Sequence, residues 1–252
     1  MALRPSLVFL TSVLSLLATN ACADGMARPN FAGAYIGAAV GIGGQRVLID
    51  NETSGTEFRN RESSVALGGY AGYNWLHGRF AYGIEADFNH LNTSPTAFDI
   101  ATGPTALTET TSMESRMLWF GTLRARAGVV VRPDWLLYAT GGLAYAQVDH
   151  TLSDDCVGCG NSPFNLGPFT QSNRDRKVGW TVGAGTEFLH ASHWRLRAEA
   201  LYVDLGSETH TYVVVAPIGT ATAVAKWDDQ FWVVRLGLAY AFGAPAAVVS
   251  PR

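Results

Sequence analysis

Charged and aromatic side chains in this sequence fall on opposite faces of the segments that look most like β-strands. Side chains alternate between the two faces of a strand with a period of two residues. In the segment 231–242 (FWVVRLGLAYAF), Arg235 shares one face with glycine and alanine. The other face carries Trp232, Leu236 and Tyr240. A charge within an apolar strand is costly unless it is paired or hydrated, so the two faces must meet different surroundings.

Segments of this kind recur along the chain, rich in β-branched, aromatic and glycine residues and bounded by turn residues. We predict eight strands, near residues 34–43, 64–75, 80–91, 115–128, 135–148, 177–188, 194–205 and 231–242. Each is about as long as a tilted strand needs to be to cross a bilayer, ~9–11 residues. Long polar connections are predicted at 44–63, 92–114, 149–176 and 206–230, alternating with short turns. Even strand number and alternating connection lengths are typical of outer-membrane barrels.

Odd or even position, here called parity, decides which face of a strand a side chain occupies. The charged residues of the other predicted strands show the same pattern as Arg235 in the last strand. Charges that share a face within a predicted strand are Glu85 with Asp87, Arg116 with Arg124 and Arg126, Lys177 with Glu187, and Arg195 with Arg197 and Glu199. Asp204, at a strand end, is the exception. A soluble barrel would place the apolar face inside, but an eight-stranded interior is too narrow for so many rings. We therefore predict an all-β fold, an eight-stranded antiparallel transmembrane up-and-down β-barrel with its charges inside.

Composition agrees with a chain that keeps much of its surface out of water. Only 15% of the 252 residues are charged, against about 25% in soluble domains, and 27 are glycine. The formal charge of −3 gives no electrostatic footprint for nucleic acid. The four long connections hold six basic and fourteen acidic residues, which also argues against polyanion binding by bulk charge.

The first 23 residues have the pattern of a secretory signal peptide. Arg4 precedes an apolar run, and Ala21-Cys22-Ala23 offers a cleavage site. A lipoprotein signal with Cys22 lipidated is the alternative, disfavoured because no apolar residue stands three positions before that cysteine. We predict a signal peptide at 1–23, a barrel domain at 24–242 and a periplasmic tail at 243–252.

Several strand sequences resemble those of a known family. GAYIGAAVGIG, YGIEADF, FGTLRARAGV, LLYATGGLAYAQV, RAEALYVDLG and VRLGLAYAF are similar to the small outer-membrane β-barrels of alphaproteobacterial surface antigens and porin-like proteins, related in architecture to the OmpA membrane domain. The resemblance implies location in the cell outer membrane, a role in envelope integrity or surface interaction, and no enzyme activity. Implied partners are outer-membrane lipid and lipopolysaccharide, and a host or surface ligand at the loops.

The chain end departs from the family pattern. Members usually end at the phenylalanine of the last strand, which the barrel-assembly machinery reads. Here Phe242 is followed by GAPAAVVSPR, and the resemblance leaves open whether this tail weakens recognition.

The predicted lumen holds equal numbers of acids and arginines away from the strand ends. They are Glu85, Asp87, Glu187, Glu199, Arg124, Arg126, Arg197 and Arg235. Because eight strands leave little internal room, we predict an ion-pair network that plugs the barrel. The alternative is a polar pathway for ions or small solutes, as in a narrow porin.

Cysteine and histidine residues in the long connections supply the remaining candidates. Cys156 and Cys159 are predicted to form a disulfide, since an exported protein lies in an oxidising compartment and no further zinc ligands are visible. His90, His150 and His210 are candidate haem or metal ligands, because some members of the family have been linked to haemin binding; solvated surface histidines are the alternative. We predict no resident cofactor or metal. No hydrolase, nucleotide-binding or metalloprotease motif supports an enzyme.

Overall fold

The computed structural model describes residues 31–51, 56–102, 108–156, 169–190, 193–216 and 219–242. The described residues form nine β-strands joined by turns. These are β1 (Gly33–Asn51), β2 (Thr56–His77), β3 (Phe80–Thr93), β4 (Thr96–Thr102), β5 (Thr108–Arg132), β6 (Trp135–Cys156), β7 (Phe169–His190), β8 (Trp194–Ala216) and β9 (Gly219–Ala241). The described residues contain no apolar helix of membrane-spanning length.

The strands form a closed antiparallel ring. Consecutive strands pair with each other, except that β3 does not pair with β4, and β1 pairs with β9 to close the barrel. β3 and β4 pair with successive parts of β5. Together they therefore occupy one position in the ring, here called a stave, with an interruption at Ser94 and Pro95. The barrel therefore has eight staves, and the predicted fold class is confirmed.

The strands run much further than predicted on the side of the long connections. β1 and β2 stay paired up to Asn51 and Thr56, and β8 and β9 up to Ala216 and Gly219. The expectation of long loops was therefore wrong for most of these residues. Continued pairing satisfies the backbone hydrogen bonds of polar segments that carry no strand-like alternation of their own.

The two faces of the barrel differ as parity predicted. Arg235 is 2% exposed and points into the lumen, whereas its neighbour Leu236 is 63% exposed on the outer surface. β3 shows the same strict alternation along its whole length. Outward side chains form a continuous apolar belt that includes Ile42, Leu67, Phe88, Leu123, Leu143, Val178, Trp180, Trp194, Trp232, Leu238 and Phe242. This belt is the surface that meets lipid.

A register shift in β5 corrects one predicted orientation, and another shift, in β8, begins just after Asp204. The register shifts between Met117 and Trp119, so Arg116 points outward and does not share a face with Arg124. A second shift lies between Asp204 and Ser207, around Gly206 with its φ of 72°. Asp204, the exception to parity, points away from the lumen and its Oδ1 accepts a hydrogen bond from the Gly206 N–H at 2.8 Å.

Three predicted features lie outside the described residues. They are the signal peptide at 1–23, the tail at 243–252, and Cys159 of the predicted disulfide.

Candidate functional site

The lumen is filled by a group of nine charged side chains, here called the lumen network. It consists of the eight predicted residues together with Arg195: Glu85, Asp87, Arg124, Arg126, Glu187, Arg195, Arg197, Glu199 and Arg235. All nine are buried. With five arginines and four carboxylates, the group has a formal charge of +1.

Glu85 is the hub of the lumen network. Its Oε1 lies 2.5 Å from Arg124 Nη2, and its Oε2 lies 2.5 Å from Arg197 Nη2 and 3.2 Å from Arg126 Nη1. The Tyr35 hydroxyl also donates to Oε2 at 2.7 Å. β3 and β8 are the third and seventh staves, so the contact between Glu85 and Arg197 spans the full width of the barrel.

Arg235 lies at the edge of the network that is nearer the long connections, here called the upper side of the barrel. Its Nη2 lies 2.8 Å from Asp87 Oδ2 and 2.6 Å from Glu199 Oε2, and its Nε donates to Glu199 at 2.9 Å. Its Nη1 donates to Asn89 Oδ1 at 2.8 Å. The guanidinium thus has a partner on every nitrogen, which explains how an arginine is accommodated in an otherwise apolar strand.

Tyrosines complete the network. Arg197 lies 4.0 Å from the centre of the Tyr70 ring, and Arg126 lies 3.9 Å from that of Tyr138. The Tyr138 hydroxyl donates to Glu199 Oε1 at 2.9 Å. These aromatic faces and hydroxyls offset part of the desolvation of the charges.

Glycines make room for the long charged side chains. Six members of the network have glycine as a cross-strand partner: Gly41 faces Arg235, Gly72 faces Glu85, Gly83 faces Arg126, Gly142 faces Arg124, Gly185 faces Glu199 and Gly237 faces Arg197. A Cβ at Gly142 would collide with the carbonyl oxygen of Leu123. The glycine content noted in the sequence therefore has a packing role inside the barrel.

An apolar layer lies across the lumen above the lumen network. Phe120 and Phe231 project from the fourth and eighth staves, which face each other across the barrel, and their ring centres are 4.8 Å apart. Leu91, Met117 and Val233 pack around them, each 0% exposed. A layer of this kind offers no polar group to a crossing ion.

Phe31 lies inside the end of the barrel that carries the short turns. Phe31 is 1% exposed and packs against Ala81, Leu136 and Tyr138 inside the barrel. Asn74 donates to the Phe31 carbonyl at 3.1 Å. Buried side chains thus lie in the lumen at its lower end, at the network and at the apolar layer.

A second polar cluster lies above the apolar layer, centred on Asp229. Lys177 Nζ lies 2.8 Å from Asp229 Oδ2, His150 Nε2 lies 3.0 Å from the same oxygen, and Ser115 Oγ donates to Oδ1 at 2.9 Å. Asp229 of β9 is therefore held by side chains from three other strands, β5, β6 and β7.

The three candidate haem histidines do not lie together. His90 points outward from β3, opposite Trp119. His150 and His210 point into the lumen, with ring centres 5.4 Å apart, and the Asp175 carboxylate contacts both. Because the ring centres are 5.4 Å apart and Asp175 contacts both rings, this geometry suits a single ion better than the plane of a haem.

Comparison with known proteins settles the family. The model of the outer membrane protein beta-barrel domain matches residues 9–242. The chain belongs to this outer-membrane β-barrel family. Like the resemblance seen in the strand sequences, the match places the protein in the outer membrane.

Two similar proteins come from alphaproteobacteria. The chain is 31% identical to the 31 kDa outer-membrane immunogenic protein of Brucella melitensis biotype 1, over 93% of this chain and 99% of that protein. It is 29% identical to the 22 kDa outer membrane protein of Rhizobium leguminosarum bv. viciae, over 61% and 60% of the two chains. These relatives are named as outer-membrane proteins and not as enzymes.

Solved structures share the architecture. The crystal structure of the outer membrane protein OprG from Pseudomonas aeruginosa matches with a TM-score of 0.52 and 15% identity, over 86% of this chain and 99% of that one. At this identity the likeness concerns the fold alone.

Proposed function

We propose that this outer-membrane β-barrel is a closed, non-catalytic envelope protein, whose lumen is a plug and whose outer end presents a surface to the environment. The observation that carries the proposal is the stacking of the apolar layer on the lumen network. An ion entering from outside meets Phe120 and Phe231 before it reaches any charge of the network. Dehydrating an ion against such a layer is costly.

The competing function is a narrow porin, for which buried charges alone would be suitable. Ion pathways need polar groups that exchange partners with the passing ion. In the lumen network the arginines are instead held by several carboxylates at once, as Arg235 is by Asp87 and Glu199. Multiple short contacts of this kind support a structural role for the charges.

Planar-bilayer recording tests the plug directly. We expect the purified, folded barrel to give no steady single-channel conductance, because the apolar layer spans the lumen. Two variants serve as a matched pair: Phe120→Ala thins the apolar layer, and Leu123→Ala removes a side chain from the lipid-facing belt. The plug would be refuted if the unaltered protein gave steady conductance steps whose size changed in Phe120→Ala but not in Leu123→Ala. Such a result would show that ions pass through the lumen.

The surface role concerns the strand ends beyond the apolar belt. Arg174 lies on the outer face of β7, 68% exposed at its side chain, and pairs with Asp149 of β6 at 2.8 Å. Such charged outward groups mark the limit of the lipid belt on the side opposite the short turns. In outer-membrane barrels the side opposite the short turns faces the cell exterior.

Cysteine labelling tests this orientation. In a background with Cys156 and Cys159 replaced by serine, we expect Ser172→Cys to react with a membrane-impermeant maleimide on intact cells. Asp134→Cys, in the short turn between β5 and β6, should react only after the outer membrane is permeabilised. The reverse pattern of labelling would invert the proposed topology.

A further inference from the structure

We infer that the outer end of the lumen is a site for one divalent transition-metal ion, bound by His150, Asp175 and His210. These residues come from the neighbouring strands β6, β7 and β8. Their ligand atoms all lie within 4.8 Å of one another. The site is separate from the lumen network, which the apolar layer divides from it.

The distances already approach those of a coordination sphere. Asp175 Oδ2 lies 3.3 Å from His150 Nδ1 and 2.9 Å from His210 Nε2. Ligands in a tetrahedral zinc site, with bonds of ~2.0–2.2 Å, are roughly 3.3 Å apart. Small side-chain rotations would therefore place the three atoms around one ion, without any movement of the strands.

The backbone brings these residues together in two ways. Asp175 faces Val148 across the β6–β7 ladder, so it sits diagonally next to His150 on the inner face. His210 reaches the same face only because of the bulge at Gly206, which reverses the alternation of β8 above it. Without the bulge, the parity of Leu201 and Val203 would direct His210 outward.

Asp229 orients the His150 ring through Nε2, the ring nitrogen that does not face Asp175. Asp229 Oδ2 lies 3.0 Å from His150 Nε2, and Asp229 is itself held by Lys177 and Ser115. The ring also stacks on Trp227 at 4.6 Å between centres. Metal-ligating histidines commonly donate their second ring nitrogen to a carboxylate in this way, which fixes the tautomer and the ring plane.

The contact between His150 and Asp175 places a ring nitrogen and a carboxylate oxygen where one cation can bind both. His150 Nε2 is directed at Asp229, which leaves Nδ1 facing the Asp175 carboxylate. A proton on Nδ1 makes this contact a hydrogen bond when no metal is bound, and a metal ion that binds there replaces the proton. The same ion accepts the lone pair of His210 Nε2.

Ligand chemistry and access indicate the class of ion. Two imidazoles and one carboxylate suit zinc, copper or nickel, whereas calcium and magnesium prefer oxygen ligands. Asp175 is 19% and His210 13% exposed at the side chain, and the nearby Glu208 is 44% exposed, so the site opens toward the outer end. Three protein ligands leave one position for water or an exchangeable ligand.

Titration calorimetry with zinc chloride tests the inference. The protein is the untagged full barrel, folded in detergent, with His190→Gln and His193→Gln so that the histidine pair near the β7–β8 turn does not contribute. We expect one zinc ion to bind per barrel, and Asp175→Asn and His210→Gln each to weaken binding about tenfold or more. His90→Gln, a histidine on the outer face, is the matched control and should leave the affinity unchanged.

Copper electron paramagnetic resonance identifies the ligands independently. We expect hyperfine splitting from two imidazole nitrogens, reduced to one in His210→Gln. Heat-modifiable migration on gels verifies that each variant is folded. Absence of zinc binding at millimolar concentration, or an affinity and a copper spectrum that Asp175→Asn and His210→Gln leave unchanged, would overturn the site.

Discussion

Replacing Glu85 by leucine is expected to lower the free energy of unfolding by roughly 3–5 kcal/mol, the usual cost of removing one partner from a buried ion pair. Glu85 contacts Arg124, Arg126 and Arg197, so its loss leaves three buried guanidinium groups with fewer acceptors. The formal charge of the lumen network would rise from +1 to +2. Urea unfolding in lipid vesicles, followed by tryptophan fluorescence, measures the change.

Two further variants make the Glu85 experiment specific. Ile84→Leu, on the lipid-facing side of the same strand, should leave the unfolding midpoint nearly unchanged. Arg235→Leu should destabilise less than Glu85→Leu, because Asp87 and Glu199 both keep their contacts with Arg124. If Glu85→Leu unfolded at the same urea concentration as the unaltered protein, the network would not be a source of stability.

Gly142→Val is expected to be at least as damaging. A Cβ at this position would lie against the Leu123 carbonyl oxygen and 2.7 Å from Arg124 Cα, both of them backbone atoms that cannot rotate away. Overpacking costs about 1–3 kcal/mol and occasionally more. Because backbone atoms block any relief here, we expect a cost above about 3 kcal/mol or failure to fold, seen as loss of the heat-modifiable band on gels.

The neighbouring glycine provides the control. A Cβ at Gly141 would point to the lipid face and meet Thr181 O at 3.4 Å and Val182 Cγ1 at 3.7 Å, which are ordinary contacts. Gly141→Val should therefore fold normally. Equal behaviour of the two variants would mean that glycine serves the strand itself and not the charge opposite it.

Alternation within short segments was enough to predict the fold and the inward orientation of the nine residues of the lumen network, eight of which were predicted as its members. Glu85 with Asp87, and Arg197 with Glu199, stand two residues apart, so no error in strand boundaries can separate their faces. Arg195 carries the same parity as Arg197 and completes the network at its lower end. The sequence pattern indicated its orientation but not its contact with Glu187.

What parity could not predict lies beyond a bulge or beyond a predicted strand end. Arg116 was misplaced because an extra residue near Trp119 reverses the alternation. Asp229 shares the parity of Arg235, but the predicted strand began at 231, two residues too late to include it. His210 required both the longer strand and the bulge at Gly206, neither of which has a hydrophobic pattern to reveal it.

The ion pairs of the lumen network that cross the lumen have a consequence for how the barrel closes. Arg197 meets Glu85 and Arg235 meets Asp87 across the barrel, between strands that are not neighbours in the ring. These pairs can form only when β1 and β9 have joined, because an open, twisted sheet holds the strands apart. The pairing of these arginines with carboxylates and the joining of β1 to β9 are therefore one cooperative event. Until β1 and β9 have joined, the inner face is a charged surface that must stay in water. Joining them in the wrong register would leave charges of the lumen network without partners.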